Sequence, residues 1–258
     1  MARVCFGRWV CEVEDALLDA ARPRCSDAPF LVEEGRPRLR LRRLADLGEG
    51  ARPFQTGQPS LGAVRVEEDG LATDAPLELL PAELALRALF QLAILRQGGL
   101  CLHAAGVAFG EEAVVALGIS GAGKSTLSRL CVQSGRAALL SDEVVALLPD
   151  GLVCGSPFRS EPDLPATRTE ARLHAFLLLE KGQVESISPV RPAALVAPLL
   201  GQVFQGEGGT GLSLGAATLP RLGGLMAPVP GFRLTFRKDP AVAGFLDEWM
   251  HGLTPSRG

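Results

Sequence analysis

Nine consecutive residues, Gly118-Ile119-Ser120-Gly121-Ala122-Gly123-Lys124-Ser125-Thr126, satisfy the pattern G-x-x-x-x-G-K-[ST]. Glycines in such a loop let the backbone curl without Cβ clashes, so successive N–H groups point inward at an anion. A helix beginning near Lys124 adds the positive end of its dipole. The chemistry this suits is the holding of a triphosphate: Lys124 reaches the β- and γ-phosphates, and the Ser125 hydroxyl ligates Mg²⁺. Lys124 is also the only lysine in the first 180 residues of a chain with three lysines and 23 arginines. Composition alone does not put it there.

Downstream lies Leu139-Leu140-Ser141-Asp142-Glu143-Val144-Val145. Two carboxylates at a strand end are how a fold of this kind brings an acid beside Mg²⁺ and the γ-phosphate. One carboxylate holds the metal, directly or through water, while its neighbour or the same group accepts a hydroxyl proton. Asp142 is favoured for this over Glu143. His103, in Leu102-His103-Ala104-Ala105, is expected on the strand before the one that enters the loop, where an imidazole either serves the phosphates or is a core histidine satisfied by backbone. Arg159 is a candidate for stabilising charge on a transferring phosphoryl group. His174 and His251 read as structural.

These residues need a scaffold. Apolar runs at Leu100–Phe109 and Ala113–Ile119, parted by Gly110-Glu111-Glu112, predict a hairpin feeding a buried strand into the loop. Leu127, Leu130 and Cys131 share one face of the next helix, with Gly135 as its stop. Strands are expected at Ala137–Leu140, Val144–Leu148, Leu152–Cys154, His174–Leu179 and Phe232–Phe236. Helices are expected from Pro81 to the Gly98-Gly99 pair, over Pro192–Phe204 and over Ala241–His251. Residues 156 to 171 read as a loop. Residues 205 to 224 hold seven glycines and read as a mobile segment able to serve as a lid. Upstream, Val4–Val13, Arg38–Leu41 and Ala63–Val66 suggest short strands with one wet face. The expected organisation is a β-rich section over residues 1–80 and a second domain over 81–258, with a mixed α/β core.

Composition removes several classes. With 258 residues, 47% hydrophobic and 21% charged, the chain can bury a substantial core and is not disordered. A formal net charge of -3 and the absence of Tyr argue against a nucleic-acid partner. The six cysteines form no C-x-x-C pair, so a structural zinc site is not expected and the thiols read as reduced. No run is long and apolar enough for a membrane span, Glu12, Glu14 and Asp15 interrupt the first apolar stretch, and a cytoplasmic location is expected. No L-S-G-G-Q-like signature occurs. The chain contains no Asn, which excludes the N-K-x-D motif of Ras-type GTPases and the H-R-D-x-x-x-x-N loop of eukaryotic-type protein kinases.

L-H-A-A around His103, then G-I-S-G-A-G-K-S-T, L-S-D-E-V-V and G-S-P-F, in that order, resemble the HPr kinase/phosphorylase superfamily. More narrowly, the chain looks like the HPr-kinase-related proteins of bacterial peptide-biosynthesis clusters, lasso-peptide kinases among them. The resemblance spans roughly residues 80 to 250 and takes in Leu177-Leu178-Leu179-Glu180 and the closing Phe232–Phe236 strand with its helix. It implies an α/β fold of the phosphoenolpyruvate-carboxykinase type of P-loop kinase, a mixed central sheet with flanking helices. It also implies ATP and Mg²⁺ used to phosphorylate a seryl hydroxyl. On matching positions, Gly118 to Thr126 become the nucleotide loop, Ser125 a magnesium ligand, Asp142 the base or metal-side acid with Glu143 beside it, and His103 a phosphate-site residue. Thr126 stands where HPr kinases usually carry Glu, Asp142-Glu143 where they carry paired Asp, and no E-x-R-G follows.

The leading expectation is an ATP-dependent kinase acting on a hydroxyl of a peptide or protein, a ribosomally made precursor peptide among the candidates. A small-molecule kinase on the same scaffold and a nucleotide-binding regulatory protein without phosphotransfer are the alternatives, and a homo-oligomer is compatible with each.

Overall fold

Leucine and arginine alternate from Leu39 to Arg42, and in the folded chain the two leucines are buried while the arginines face water. The computed structural model describes residues 1–54, 59–160, 163, 164, 166–204, 218–226 and 229–252. The protein is mixed α/β, and the chain divides into two units, Met1–Cys101 with Phe204–Arg221 and Leu102–Val203 with Leu222–Gly258.

Among the described residues, the first unit holds a six-stranded sheet of β1 (Ala2–Phe6), β2 (Trp9–Val13), β3 (Leu39–Arg43), β4 (Arg52–Pro53), β5 (Ala63–Glu67) and β6 (Gly70–Thr73), ordered β1-β2-β3-β6-β5-β4. Its wet face carries cross-strand ion pairs, Arg40 with Glu12 at 3.0 Å and Arg42 with Glu67 at 2.5 Å. Two helices accompany it, α1 (Asp15–Ala21) and α2 (Leu79–Arg96). Helix α2 starts two residues before the expected Pro81, which sits in the first turn, where no intrahelical donor is required of it. It is buried around nearly its whole circumference, charged residues included. Glu83 and Arg87 bury together because Arg87 Nε donates to Glu83 Oε1 at 2.9 Å and Arg24 Nη1 lies 3.4 Å from Oε2.

The chain passes between the units within β7 (Leu100–Leu102). The second unit is built from β8 (Ala105–Phe109), β9 (Glu112–Leu117), α3 (Lys124–Gln133), β10 (Ala138–Ser141), β11 (Val145–Leu147) and β12 (Leu152–Cys154). It continues through β13 (Glu170–Lys181), β14 (Ser186–Val190), α4 (Pro192–Gln202), the strand β15 (Gly231–Phe236) and, after α5 (Thr218–Met226) in numbering, α6 (Ala241–Met250). Its sheet runs β10-β8-β9-β13-β12-β11, with β15 also on β13 and β14 on β15. The twelve residues of β13 are long enough to carry β12 on their first part and β15 on their second. Strand β9 is buried almost throughout, parallel to β13 and antiparallel to β8, and reads accordingly as an apolar run.

Leu127, Leu130 and Cys131 of α3 and Val242, Leu246 and Met250 of α6 pack with Val107, Val114, Leu177, Leu234 and Phe236 into one core. This core anchors the start of α3, so the loop before it is fixed at its downstream end. Truncating Leu127 here to alanine removes packing worth about 2–5 kcal/mol.

Two local expectations are revised, and one strand was not expected. His103 lies in a bend between β7 and β8, not within a strand. Strand β14 is an edge strand containing Pro189, whose missing donor disguises it in the sequence. Of the glycine-rich stretch 205 to 224, expected as a mobile segment able to serve as a lid, residues from Thr218 onward are helical in α5, and 205–217 lie outside the described residues.

Candidate functional site

Strand direction gathers the chemistry-bearing residues. Strands β9, β13 and β15 run parallel. Strand β10 points the same way, because it is antiparallel to β8, which is antiparallel to β9. The carboxyl ends of all four therefore open on one edge of the sheet, the edge at which α/β sheets form crevices. The Gly118–Thr126 loop leaves β9 there and Asp142 leaves β10 there. Lys181 ends β13 with Gly182 next, and Arg237-Lys238 follows β15. His103 precedes β8, whose first residue, Ala105, pairs with Ala116 near the end of β9.

Two of the loop's glycines meet close neighbours. A Cβ on Gly118 would lie 2.6 Å from Ala122 Cβ, so the two ends of the turn approach too closely for a side chain. Gly123, the residue before α3, has φ +106° and would put a Cβ 3.2 Å from Phe236 Cζ. The Leu127 N–H donates to Gly123 C=O at 2.8 Å and closes the first helical turn.

Lys124 is 8% exposed. Its Nζ donates to Gly118 C=O at 2.6 Å and to Ile119 C=O at 3.4 Å. Burial pushes its pKa below the ordinary 10.5. Among the described residues no carboxylate pairs with it. A desolvated ammonium bonded only to neutral carbonyls, beside the start of a helix, fits an anionic ligand such as a phosphate chain.

The acid is equally constrained. Ser141, fully buried at the end of β10, donates from Oγ to Phe158 C=O at 2.9 Å and accepts the N–H groups of Glu143 and Val144 at 3.1 and 3.0 Å. This turn directs Asp142, 2% exposed, away from the strand. Its carboxylate accepts from Ser160 twice, from the backbone N–H at Oδ1 (3.1 Å) and from the hydroxyl at Oδ2 (2.5 Å). The Ser160 hydroxyl is in turn 3.4 Å from the Ser125 hydroxyl.

One cavity of about 290 Å³ joins these groups, lined by His103, Ser120, Gly121, Gly123, Lys124, Ser125, Thr126, Asp142, Glu143 and Ser160. Carboxylate and hydroxyl oxygens beside a phosphate-sized space are the hard donors Mg²⁺ prefers, and that ion takes few protein ligands because phosphates and water complete its shell. The residues present therefore fit both a phosphate chain and Mg²⁺.

A second cavity of about 480 Å³ lies on the other flank of the loop, lined by Gly121, Ala122, Gly123, Thr126, Lys181, Gly182, Gln183, Phe236, Arg237 and Lys238. Gly121, Gly123 and Thr126 border both cavities. All three lysines of the chain thus flank this loop, Lys124 in the first cavity and Lys181 and Lys238 in the second.

Of the residues expected from sequence, the nine loop positions lie together, and His103, Lys124, Asp142 and Glu143 share the first cavity. Arg159 is half-buried, and the cavity wall at that point is its neighbour Ser160. His174 pairs with Glu112 at 3.2 Å and stacks edge-on against Trp249, and His251 Nδ1 lies 2.8 Å from Asp247 O in the last turn of α6. Sequence reasoning missed Ser160, Lys181 and Lys238. The one local signal for Ser160 is Gly155 upstream, where a Cβ would sit 2.3 Å from Thr167 O and 2.6 Å from Leu140 O. Only a glycine lets this segment cross β10 closely enough to deliver Ser160 to Asp142.

No protein-family model and no curated protein matches the chain. Among solved structures it is similar to the Hpr(Ser) kinase/phosphatase from Coxiella burnetii, at 12% identity and a TM-score of 0.30, over 59% of this chain and 94% of that one. A likeness of that degree supports no assignment of activity. No helix among the described residues is long and apolar enough to cross a membrane.

Proposed function

We infer that the chain is an ATP-dependent kinase of the P-loop type that transfers the γ-phosphoryl group to a hydroxyl, a seryl hydroxyl of a peptide or protein. The observation that carries this reading is the cavity in which the buried Lys124 ammonium and the Asp142 carboxylate face the same space across the loop. A nucleotide-binding protein without chemistry needs the cation but not the acid.

In this reading the amides of the loop and the start of α3 bind the phosphates, and Lys124 takes up charge that grows on them during transfer. Ser125, with Asp142 beside it, would hold Mg²⁺, which when bound would neutralise charge on the phosphates. Asp142 holds the acceptor hydroxyl and takes its proton. His103 and Glu143 line the acceptor side of the cavity. The second cavity takes the nucleoside end, with Lys181, Arg237 and Lys238 supplying positive charge near the α-phosphate. The order of sequence motifs from His103 through Gly118–Thr126 to Asp142, which resembles that of kinases with a phosphoenolpyruvate-carboxykinase-type fold, supports the same assignment, and the acceptor would be a precursor peptide or protein.

Incubation of the protein with ATP, Mg²⁺ and peptides encoded beside its gene tests this. The expected product is heavier by one phosphoryl group. Asp142→Asn should abolish transfer while retaining nucleotide binding, and unchanged turnover in that variant would remove Asp142 from the mechanism.

A further inference from the structure

We propose that Ser160 is a phosphorylation site of this chain, modified in cis by the chain's own catalytic cavity. The inference rests on the kinase reading above and adds to it a specific acceptor.

Ser160 already stands where an acceptor hydroxyl must stand. Its Oγ donates to Asp142 Oδ2 at 2.5 Å, so the proton to be removed already points at the group assigned to take it. The same oxygen lies 3.4 Å from Ser125 Oγ, the hydroxyl at the phosphate end, and Ser160 lines the cavity with Lys124. The backbone is held as well as the side chain. Ser160 N–H donates to Asp142 Oδ1 at 3.1 Å, and two residues earlier Phe158 is fully buried with its C=O bonded to Ser141 Oγ. A hydroxyl fixed in this way reacts within its own molecule and escapes the entropic cost of bringing in a second one. Ser160 is also exposed, so a phosphoryl group on it can project into water.

The step balances. Ser160 Oγ forms a bond to the γ-phosphorus of ATP, and the bond from that phosphorus to the β–γ bridging oxygen breaks, its electron pair leaving on ADP. The Oγ proton passes to Asp142 Oδ2 and from there to water. The esterified Ser160 Oγ no longer has a proton to donate to Asp142, and the phosphoserine dianion is repelled by the Asp142 carboxylate. Modification therefore ends after one phosphoryl group per chain and frees Asp142 for an external hydroxyl.

The full chain is incubated with γ-labelled ATP and Mg²⁺ without added acceptor, the label is mapped by peptide mass spectrometry, and ATP binding is measured in parallel by calorimetry. The expected result is label on Ser160 up to one group per chain, at a first-order rate unchanged by diluting the protein. Ser160→Ala should lose this label, and Ser160→Thr should carry it on the threonine. ATP bound without label on Ser160, label confined to another residue, or a rate proportional to protein concentration would overturn the inference and leave the kinase reading standing. No binding of ATP would overturn both.

Discussion

The Ser160 hydroxyl meets the Asp142 carboxylate at 2.5 Å across 18 positions of sequence. The contact ties the segment after β12 to the acid after β10, and its footing is Ser141, which bonds the Phe158 carbonyl on one side and the Glu143 and Val144 amides on the other. The acid of the site is therefore aimed by a polar bracket that is buried beneath it, and the bracket can be tested apart from the chemistry.

Ser141→Ala removes the acceptor of two backbone N–H groups and the donor to Phe158. Leaving buried polar groups unpaired should cost about 1–3 kcal/mol in urea denaturation. Transfer to an acceptor should slow while ATP affinity holds, a fall in kcat without a matching rise in the KM for ATP. A rise in that KM with kcat intact would show that Ser141 serves the phosphate end instead.

Lys124→Met should weaken ATP binding about 10- to 100-fold by calorimetry, the loss of a charge-assisted contact. The ligand-free protein should unfold no earlier than wild type, because the variant removes an ammonium whose burial is unfavourable. The pH dependence has a definite sign. Burial holds the Lys124 pKa below 10.5 in the folded chain, so the ammonium deprotonates there before it does in the unfolded chain. Its contribution to folding becomes more favourable as pH rises through that lowered pKa toward 10.5, whereas ATP affinity falls over the same window. Affinity that rises with pH in this range would contradict the assignment.

Gly123→Ala places a side chain at φ +106° and against the Phe236 ring. A loss of about 1–2 kcal/mol is expected in chemical denaturation, accompanied by weaker ATP binding. Gly201→Ala, in α4 with nothing within 4 Å of the added carbon, is the control. It should stabilise by about 0.5–1 kcal/mol.

The loop and the acid could be read from sequence because each is local: glycines, lysine and serine at fixed spacing, then carboxylates at the end of an apolar run. Ser160 could not, since its place depends on how the chain closes between β12 and β13. Lys181 and Lys238 are ordinary surface residues in sequence, and only the parallel register of β13 and β15, with Lys181 opposite Phe236, brings them to the loop. Strand β14 was hidden by Pro189. Alternation at Arg38–Leu41 predicted a half-wet strand, found at Leu39–Arg43, because period two with charge on one face has no competing helical reading.

Desolvation in the core pushes the Cys11 and Cys131 thiols up to about 12 from 9.0, with Cys5 adding to the shift at Cys11. These thiols keep their protons when folded, so their stabilising contribution is complete below pH 9 and is lost as pH climbs from 9 toward 12. Both should resist alkylation at pH 8 until the chain is unfolded, as read by mass spectrometry with and without denaturant. Modification of either in the folded protein at a rate matching an exposed thiol would contradict their burial.

The most direct measurement is a crystal structure with a non-hydrolysable ATP analogue and Mg²⁺. The triphosphate is expected along the Gly118–Thr126 amides, with the γ-phosphate between Lys124 and Asp142 and the nucleoside toward Lys181 and Lys238. An analogue bound elsewhere, or a γ-phosphate from which the Asp142 carboxylate is turned away, would contradict the account.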